Sequence, residues 1–285
     1  MSLLEIKQAL KHKLASTYEA IELNSIIAML IEHVTGWDTL KQAIRKSDEI
    51  DETQASTINE LADELITGKP IQYILGKTWF MDNEFIVNKN VLIPRPETEE
   101  LVDWVIEYAN IIQKPLKIID IGTGSGCIAI SLNKLLPNCT VTALDISEAA
   151  LEVAKANAAA LHANLEWIQE DILKSNSLPA SYDIIVSNPP YIPFRETANM
   201  QVQVKKYEPS IALFVTNEDP LIFYKAIGRL GEKYLAPKGQ LFFEIHHDQR
   251  KAILALFDEM GYHAEIRQDM YGKDRMLRAS LKTSN

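Results

Sequence analysis

Two consecutive prolines, Pro189 and Pro190, constrain what this chain can fold into more than any other feature. Ahead of them the mostly apolar run Tyr182 to Val186 reads as a buried strand ending at Ser187. Neither proline can donate to a sheet ladder, so the strand stops there. Asn188 and the two proline carbonyls are left in the space beyond a strand end, where open α/β sheets bind ligands. The Asn188 carbonyl and the Pro189 backbone carbonyl offer two acceptors side by side. They match the two N–H groups of a planar amine or amide, and Tyr191 adds an aromatic face to lie against it. The same residues also suit a plain Asn-Pro turn in a connecting loop.

The chain has 285 residues, enough for one large domain and a small one. Its net charge of −10 argues against a protein that lives on nucleic-acid phosphates, which call for a basic face. It is compatible with a basic protein partner. Cys127 and Cys139 are the two cysteines, with no C-x-x-C, which points to a reducing compartment and away from a zinc knuckle. Glu5, Lys7 and Lys11 interrupt the first residues, so no signal peptide is expected there, and no run reaches the ~20 apolar residues of a membrane span. A cytoplasmic protein is expected, without a membrane and without a metal site.

Residues 1–70 read as a small helical bundle. Ile6, Leu10 and Leu14 repeat at helical spacing, and the segment Ile21 to Val34 is closed by Gly36. Asp51 with Gln54 resembles a capping box ahead of Ile58, Leu61, Ala62, Leu65 and Ile66. Twelve acidic residues against seven basic ones give this region no phosphate-binding face. Residues 71–92 change character. Tyr73–Leu75, Thr78–Met81 and Glu84–Val87 are rich in β-formers, with Asp82-Asn83 as a turn, and read as a hairpin joining two domains. Trp79 and Phe80 either face a cleft or, as is commoner for such residues, fill the hairpin's own core. From residue 93 to 285 strands and helices alternate. Pro96 and the acids beside it suit a helix start, and Leu101, Val102, Val105, Ile106, Ala109 and Ile112 mark that helix's buried face.

Three further strand ends then arrive in series. Leu116 to Ile121, which includes Asp120, leads into Gly122-Thr123-Gly124-Ser125-Gly126 and a helix, a turn that brings backbone close to a ligand. The dinucleotide spacing G-x-G-x-x-G would need glycine where Cys127 stands, which disfavours a nicotinamide-dependent oxidoreductase. The second strand ends in Asp145, placed to accept from both hydroxyls of a ribose, although a helix-capping role also suits an acid there. The third ends at Asp171 and Ile172, an acceptor for an exocyclic amino group and an apolar side chain for a purine face. Together these make a nucleoside-binding edge, and the fourth strand delivers Asn188 to it.

Asp120-Ile121-Gly122-Thr123-Gly124-Ser125-Gly126, Asp145 and Asn188-Pro189-Pro190-Tyr191 resemble the Rossmann-like S-adenosylmethionine-dependent methyltransferases. Leu92-Ile93-Pro94-Arg95-Pro96-Glu97-Thr98-Glu99 and Tyr207-Glu208-Pro209 narrow the resemblance to the peptide chain release factor glutamine methyltransferases, over nearly the whole chain. It implies an α/β fold with a mostly parallel sheet, an antiparallel terminal hairpin and an N-terminal helical domain. It also implies S-adenosyl-L-methionine as cofactor, S-adenosyl-L-homocysteine as product, and class I release factors as partners. The reaction would be N5-methylation of the glutamine in their Gly-Gly-Gln loop. Asp120, Gly122, Thr123, Gly124, Ser125, Gly126, Asp145, Asp171, Ile172 and Asn188 would then hold cofactor. Asn188 and Pro189 would hold the reacting amide, with Pro190 and Tyr191 beside it. The run Val215 to Leu221 and the pair His246-His247 depart from the family's usual residues. An adenine-N6 DNA methyltransferase shares the Asn-Pro-Pro-Tyr logic but calls for a basic groove and usually a recognition insert. A non-catalytic adaptor that docks a partner through the helical region is the remaining alternative.

The last third reads as a helix from Asp219-Pro220 to about Leu235, a turn at Pro237-Lys238-Gly239, a central strand Leu241 to Ile245, a helix from Asp248 to Met260, and strands at about 264–268 and 276–281, joined around Tyr271-Gly272-Lys273. His246 and His247 fall at a strand end, and their surroundings in the sequence favour a structural role over metal ligation.

Overall fold

A computed structural model describes residues 1–200 and 202–282 of the protein. By their contacts these residues form two compact units, 1–76 with 202–207 and 77–200 with 208–282.

The first unit is helical: α1 (Leu3–Leu14), α2 (Ala20–Thr35), α3 (Thr39–Ile44), α4 (Glu52–Ile66) and α5 (Ile71–Leu75). Their apolar stripes, including Ile6, Leu10, Leu14, Ile27, Leu30, Ile58 and Leu65, meet in one core. Asp51 accepts from the Gln54 N–H at 2.9 Å, but the Gln54 side chain reaches toward the Val34 carbonyl, so the motif is a simple N-cap. The reciprocal capping box sits at Ser2 and Glu5 instead. Tyr73–Leu75, expected as β-structure, is the helix α5. Pro70 precedes it and Gly76, at φ +72°, closes it, so capping outweighs the β-propensity of the residues between. A later helix, Val202–Tyr207 (α9 in chain order), returns to this unit, where the Tyr207 hydroxyl meets that of Thr67 at 2.6 Å.

The second unit opens with β1 (Lys77–Phe80) and β2 (Asn83–Ile86), an antiparallel pair. Strand alternation splits its two aromatic residues: Phe80 is 1% exposed and packs edge-on to Phe85, whereas Trp79 is 69% exposed, not in the core. Then follow α6 (Pro96–Ile112), β3 (Lys117–Ile121), α7 (Cys127–Leu135), β4 (Thr140–Asp145), α8 (Glu148–Ala160), β5 (Glu166–Gln169), β6 (Tyr182–Ser187) and β7 (Ile192–Pro193). After α9 come α10 (Ser210–Leu213), β8 (Phe214–Val215), α11 (Ile222–Tyr234), β9 (Leu235–Glu244), α12 (Arg250–Glu259), β10 (Tyr262–Gln268) and β11 (Asp274–Leu281). Helix α11 starts two residues after Pro220 rather than at it; Asp219 pairs with Lys225 there instead of capping.

The main sheet has seven strands in the order β10-β11-β9-β6-β3-β4-β5. Pairings from β9 through β5 are parallel, and β11 and β10 complete the sheet antiparallel, as expected for the fold class. Alternate residues of each central strand face opposite layers. Ile118, Ile184, Val186 and Phe242 pack with Leu101, Val105 and Ile128. Ile119, Ile185, Leu241 and Phe243 pack with Tyr224, Ile227, Ile253 and Phe257. Each fully buried side chain of this size contributes roughly 1.5–3 kcal/mol. Chain order runs outward from β3 to β5 and then reverses to β6 on the other side of β3. That reversal puts the crevice beyond the β3 and β6 ends, the place where open α/β sheets bind ligands. The Ser187 hydroxyl donates to the Ile121 carbonyl at 2.6 Å and joins the two ends. No helix among the described residues is long and apolar enough to cross a membrane.

Candidate active site

A cavity of about 240 Å³ lies in that crevice. Gly122, Thr123, Gly124 and Ser125 form one side, Asp145 and the Asp171-Ile172 pair another, and Asn188, Pro189 and Pro190 a third. The four strand ends read from the sequence thus converge on one space.

The glycine turn needs its glycines. Gly122, Gly124 and Gly126 have φ of +78°, +54° and +82°, in the region L side chains rarely adopt. Their roles differ. At Gly122 and Gly124 a Cβ would meet nothing within 4 Å, so the backbone there faces open space. At Gly126 a Cβ would sit 2.8 Å from Ile130 Cδ1 and 3.1 Å from Ala154 Cβ. Gly126 therefore stands behind the cavity wall, where it lets α7 and α8 approach. Asp120 also stands behind it, fully buried. Thr123 Oγ1 donates to its Oδ2 at 2.6 Å, while Oδ1 makes no hydrogen bond among the described residues. Burial pushes the Asp120 carboxyl up to about 7, against the opposing help of the Thr123 hydroxyl and the Ala129 N–H.

Asp145 both braces and lines the site. Its Oδ2 accepts from the Gly124 N–H and its Oδ1 from the Ser147 N–H, each at 2.9 Å. Each oxygen keeps a lone pair for a further donor. Burial raises its pKa, opposed by those backbone N–H groups. The Ser147 hydroxyl caps α8 by accepting from the Ala150 N–H. Asp171 lines the cavity with its carboxylate already engaged by Lys174 at 2.9 Å and by the Leu173 N–H; the Lys174 hydrogen bond leads in lowering its pKa. Ile172 is buried beside it.

Asn188 Nδ2 donates to Thr98 Oγ1 at 3.2 Å, and Thr98 Oγ1 donates to Glu244 Oε2 at 2.6 Å. The other Glu244 oxygen accepts from the Tyr191 hydroxyl at 3.0 Å. Tyr191 thus turns its hydroxyl to Glu244 and stands behind the lining residues Pro189 and Pro190. Burial raises the Glu244 pKa, while the Thr98 and Tyr191 hydroxyls and the Arg275 guanidinium favour its charge. Glu208, also buried, pairs with Arg95 and accepts from the Ile93 N–H, holding the Ile-Pro-Arg-Pro run against the cavity.

Three residues that serve this site went unassigned in the sequence. Thr98 and Glu244 stood inside recognised segments without a role. Asn157, fully buried in α8, accepts from the Ile86 N–H and donates to the carbonyls of Ile86 and Ser125, so it ties β2 to the glycine turn. A lone Asn inside the run Ala156 to Ala160 was the signal available for it. His246 is buried beside the Tyr191 ring, with Nε2 3.1 Å from Glu196; burial leads in lowering its pKa and favours the neutral ring. Its Nδ1 accepts from the Asp248 N–H, a structural use of the ring. The run after Val215 is tied down where Asn217 accepts from the Arg195 N–H.

The residues present fit S-adenosylmethionine. Two glycines leave an open backbone cradle, a carboxylate with spare lone pairs ends β4, and Ile172 offers an apolar wall.

Known proteins resemble both regions of the chain. The profile of the PrmC N-terminal domain matches residues 5–76, and that of the Methyltransferase small domain matches residues 108–206. The release factor glutamine methyltransferase of Flavobacterium psychrophilum is 40% identical over 272 residues, covering 94% of this chain and 95% of that protein. That of Lactococcus lactis subsp. lactis is 44% identical over 232 residues, covering 81% and 84%. Among solved structures, a methyltransferase from Pyrococcus furiosus superposes with a TM-score of 0.52 at 17% identity, covering 78% of this chain and 96% of that one, a likeness of fold.

Proposed function

The chain belongs to the release factor glutamine methyltransferase family, and on that premise we propose that it methylates its acceptor by holding and aiming a glutamine amide at Asn188 and Pro189. The acceptor is the glutamine of the Gly-Gly-Gln loop of a class I peptide chain release factor. The single observation that carries this reading is the shared cavity, which sets the glycine turn, Asp145 and Asn188-Pro189-Pro190 around one space.

S-adenosylmethionine, when bound, supplies an electrophilic methyl group on a sulfonium. In this reading Gly122, Thr123, Gly124 and Ser125 hold its chain-like end, Asp145 accepts from its ribose hydroxyls, and Asp171 and Ile172 meet its adenine. Asp120 and Gly126 shape the turn from behind. An amide nitrogen is a poor nucleophile because its lone pair is shared with the carbonyl. Orientation is what this site provides: the Asn188 side-chain oxygen and the Pro189 carbonyl accept the two amide hydrogens and fix the direction of the nitrogen. Positioning of this kind supplies up to ~7–11 kcal/mol of a barrier. The same two acceptors favour positive charge on nitrogen as its new bond forms. The methylated nitrogen then loses a proton to water, so no strong base is required.

Asn188→Ala is expected to leave the fold intact and to lower kcat on the order of 10²–10³, as for a lost oxyanion-hole donor. The direct test is methyl transfer from labelled cofactor to release factor, to its loop Gln→Ala variant and to duplex DNA in parallel. Label on intact release factor alone supports the reading; label on DNA overturns it.

A further inference from the structure

Asn188 has two chemically opposite ends, and only one of them can serve an acceptor NH2 group. Its Oδ1 accepts hydrogen bonds; its Nδ2 donates them and would repel the substrate amide's own N–H groups. Something must decide which end faces the cavity. Glu244 is buried and, as a carboxylate, can only accept. Thr98 Oγ1 donates to Glu244 Oε2 at 2.6 Å, and the Tyr191 hydroxyl and Arg275 guanidinium favour the charged carboxylate, so the single Thr98 proton is committed to Glu244. Thr98 Oγ1 then has only lone pairs left for Asn188. It takes Nδ2, at 3.2 Å, and Oδ1 is left over. Among the described residues no group donates to that Oδ1, and Asn188 lines the cavity.

We propose that Thr98 and Glu244 are positioning residues: a polarity relay, Glu244 to Thr98 to Asn188, that locks the Asn188 amide with its oxygen toward the acceptor and so selects a primary carboxamide over a carboxylate. The inference rests on the reading that Asn188 holds the substrate amide. Tyr191 belongs to the relay's anchor. Its hydroxyl fills the second Glu244 oxygen at 3.0 Å, so Glu244 stays oriented toward Thr98. Arg275 supplies positive charge near the same carboxylate, and Tyr224 holds the Glu244 backbone carbonyl at 3.0 Å. The relay also gives the site a sign. With Oδ1 outward, Asn188 and the Pro189 carbonyl present two acceptors, which welcome an NH2 group and repel a carboxylate of the same shape.

The test is a double-mutant cycle on release factor methylation. Thr98→Val keeps the shape of the side chain and removes the hydroxyl, leaving the Asn188 amide free to turn. A loss of roughly tenfold in kcat/KM is expected, the worth of one buried hydrogen bond, with Thr98→Ser restoring most of it. In an Asn188→Ala background the same Thr98→Val change should cost nothing further, because no amide remains to orient. Glu244→Gln, nearly isosteric, lets Thr98 either donate or accept, and its cost should vanish in the Asn188→Ala background too. It keeps the test alive if Thr98→Val does not fold. A release factor with the loop glutamine changed to glutamate should inhibit Thr98→Val and Glu244→Gln more strongly than wild type, because a turned amide offers Nδ2 to the carboxylate. Wild-type kinetics for Thr98→Val, or equal losses with and without Asn188, would overturn the relay. Absence of methyl transfer by the wild-type protein would instead overturn the underlying reading.

Discussion

Burial raises the Asp120 carboxyl to about 7, and the consequence is a pH-dependent stability. That carboxyl has a pKa of about 7 in the fold and ~3.9 in an unfolded chain. Below pH ~4 the group is protonated in both states and makes no difference. Between pH ~4 and 7 the unfolded chain releases the proton while the folded one retains it, so the contribution of Asp120 to stability falls as pH rises, by up to ~4 kcal/mol in all. Asp120→Asn removes that slope. In urea unfolding, the stability of the variant relative to wild type should therefore rise between pH 5 and pH 8; a constant difference would show that Asp120 ionises freely in the fold. Residues of this kind mark what a sequence shows and what it hides. That Asn188, Asp145 and the glycines lie at strand ends was legible, because that is a local signal. Thr98 and Glu244 were not, since their bond joins positions 146 residues apart and exists only once α6 and β9 are packed. Asn157 was hidden for the same reason, its partners lying on β2 and in the glycine turn.

The turn between β3 and α7 separates two demands on glycine that look identical in sequence. Gly122 faces open space, so Gly122→Ala meets only the backbone penalty of positive φ, ~1–2 kcal/mol. Gly126→Ala meets that penalty and also a collision with Ile130 and Ala154, a further ~1–3 kcal/mol. Thermal melts should rank them accordingly, Gly126→Ala lower in Tm by several degrees. Cofactor titration should single out Gly122→Ala, which narrows the cavity itself. Elements were readable wherever period and punctuation agreed. Strands β3, β4 and β6 and the second half of β9 are mostly apolar runs closed by glycine, acid or proline, whereas β9 starts earlier, at Leu235, and runs through Pro237-Lys238-Gly239, residues that read as a turn. Residues Tyr73–Leu75 misled because β-formers were placed between Pro70 and Gly76, a spacing that fits one capped helical turn better than a strand. Trp79 misled because a four-residue strand buries only alternate side chains.

For the molecule as a whole, the net charge of −10 favours a basic partner surface. KM for release factor should rise with added salt while kcat holds, since screening weakens encounter more than chemistry; a KM indifferent to salt would remove charge from the account of docking. The shift from helical stripes to alternating strands was visible in the sequence. The return of residues 202–207 to the helical unit was not, because nothing in so short a segment announces its destination. The order of the sheet strands bears on how the protein comes into being on a ribosome. Strand β11 is made last of the seven, yet it lies inside the sheet between β9 and β10. It brings Arg275, whose carbonyl accepts from the Ile245 N–H just beyond Glu244. A nascent chain that has emerged through β9 holds the glycine turn and Asn188 but leaves β9 an open, aromatic-rich edge. At ~5–20 residues per second that edge waits a few seconds for its neighbour. During this interval the half-made enzyme is at its most adhesive, and holdase chaperones have their window to act on it.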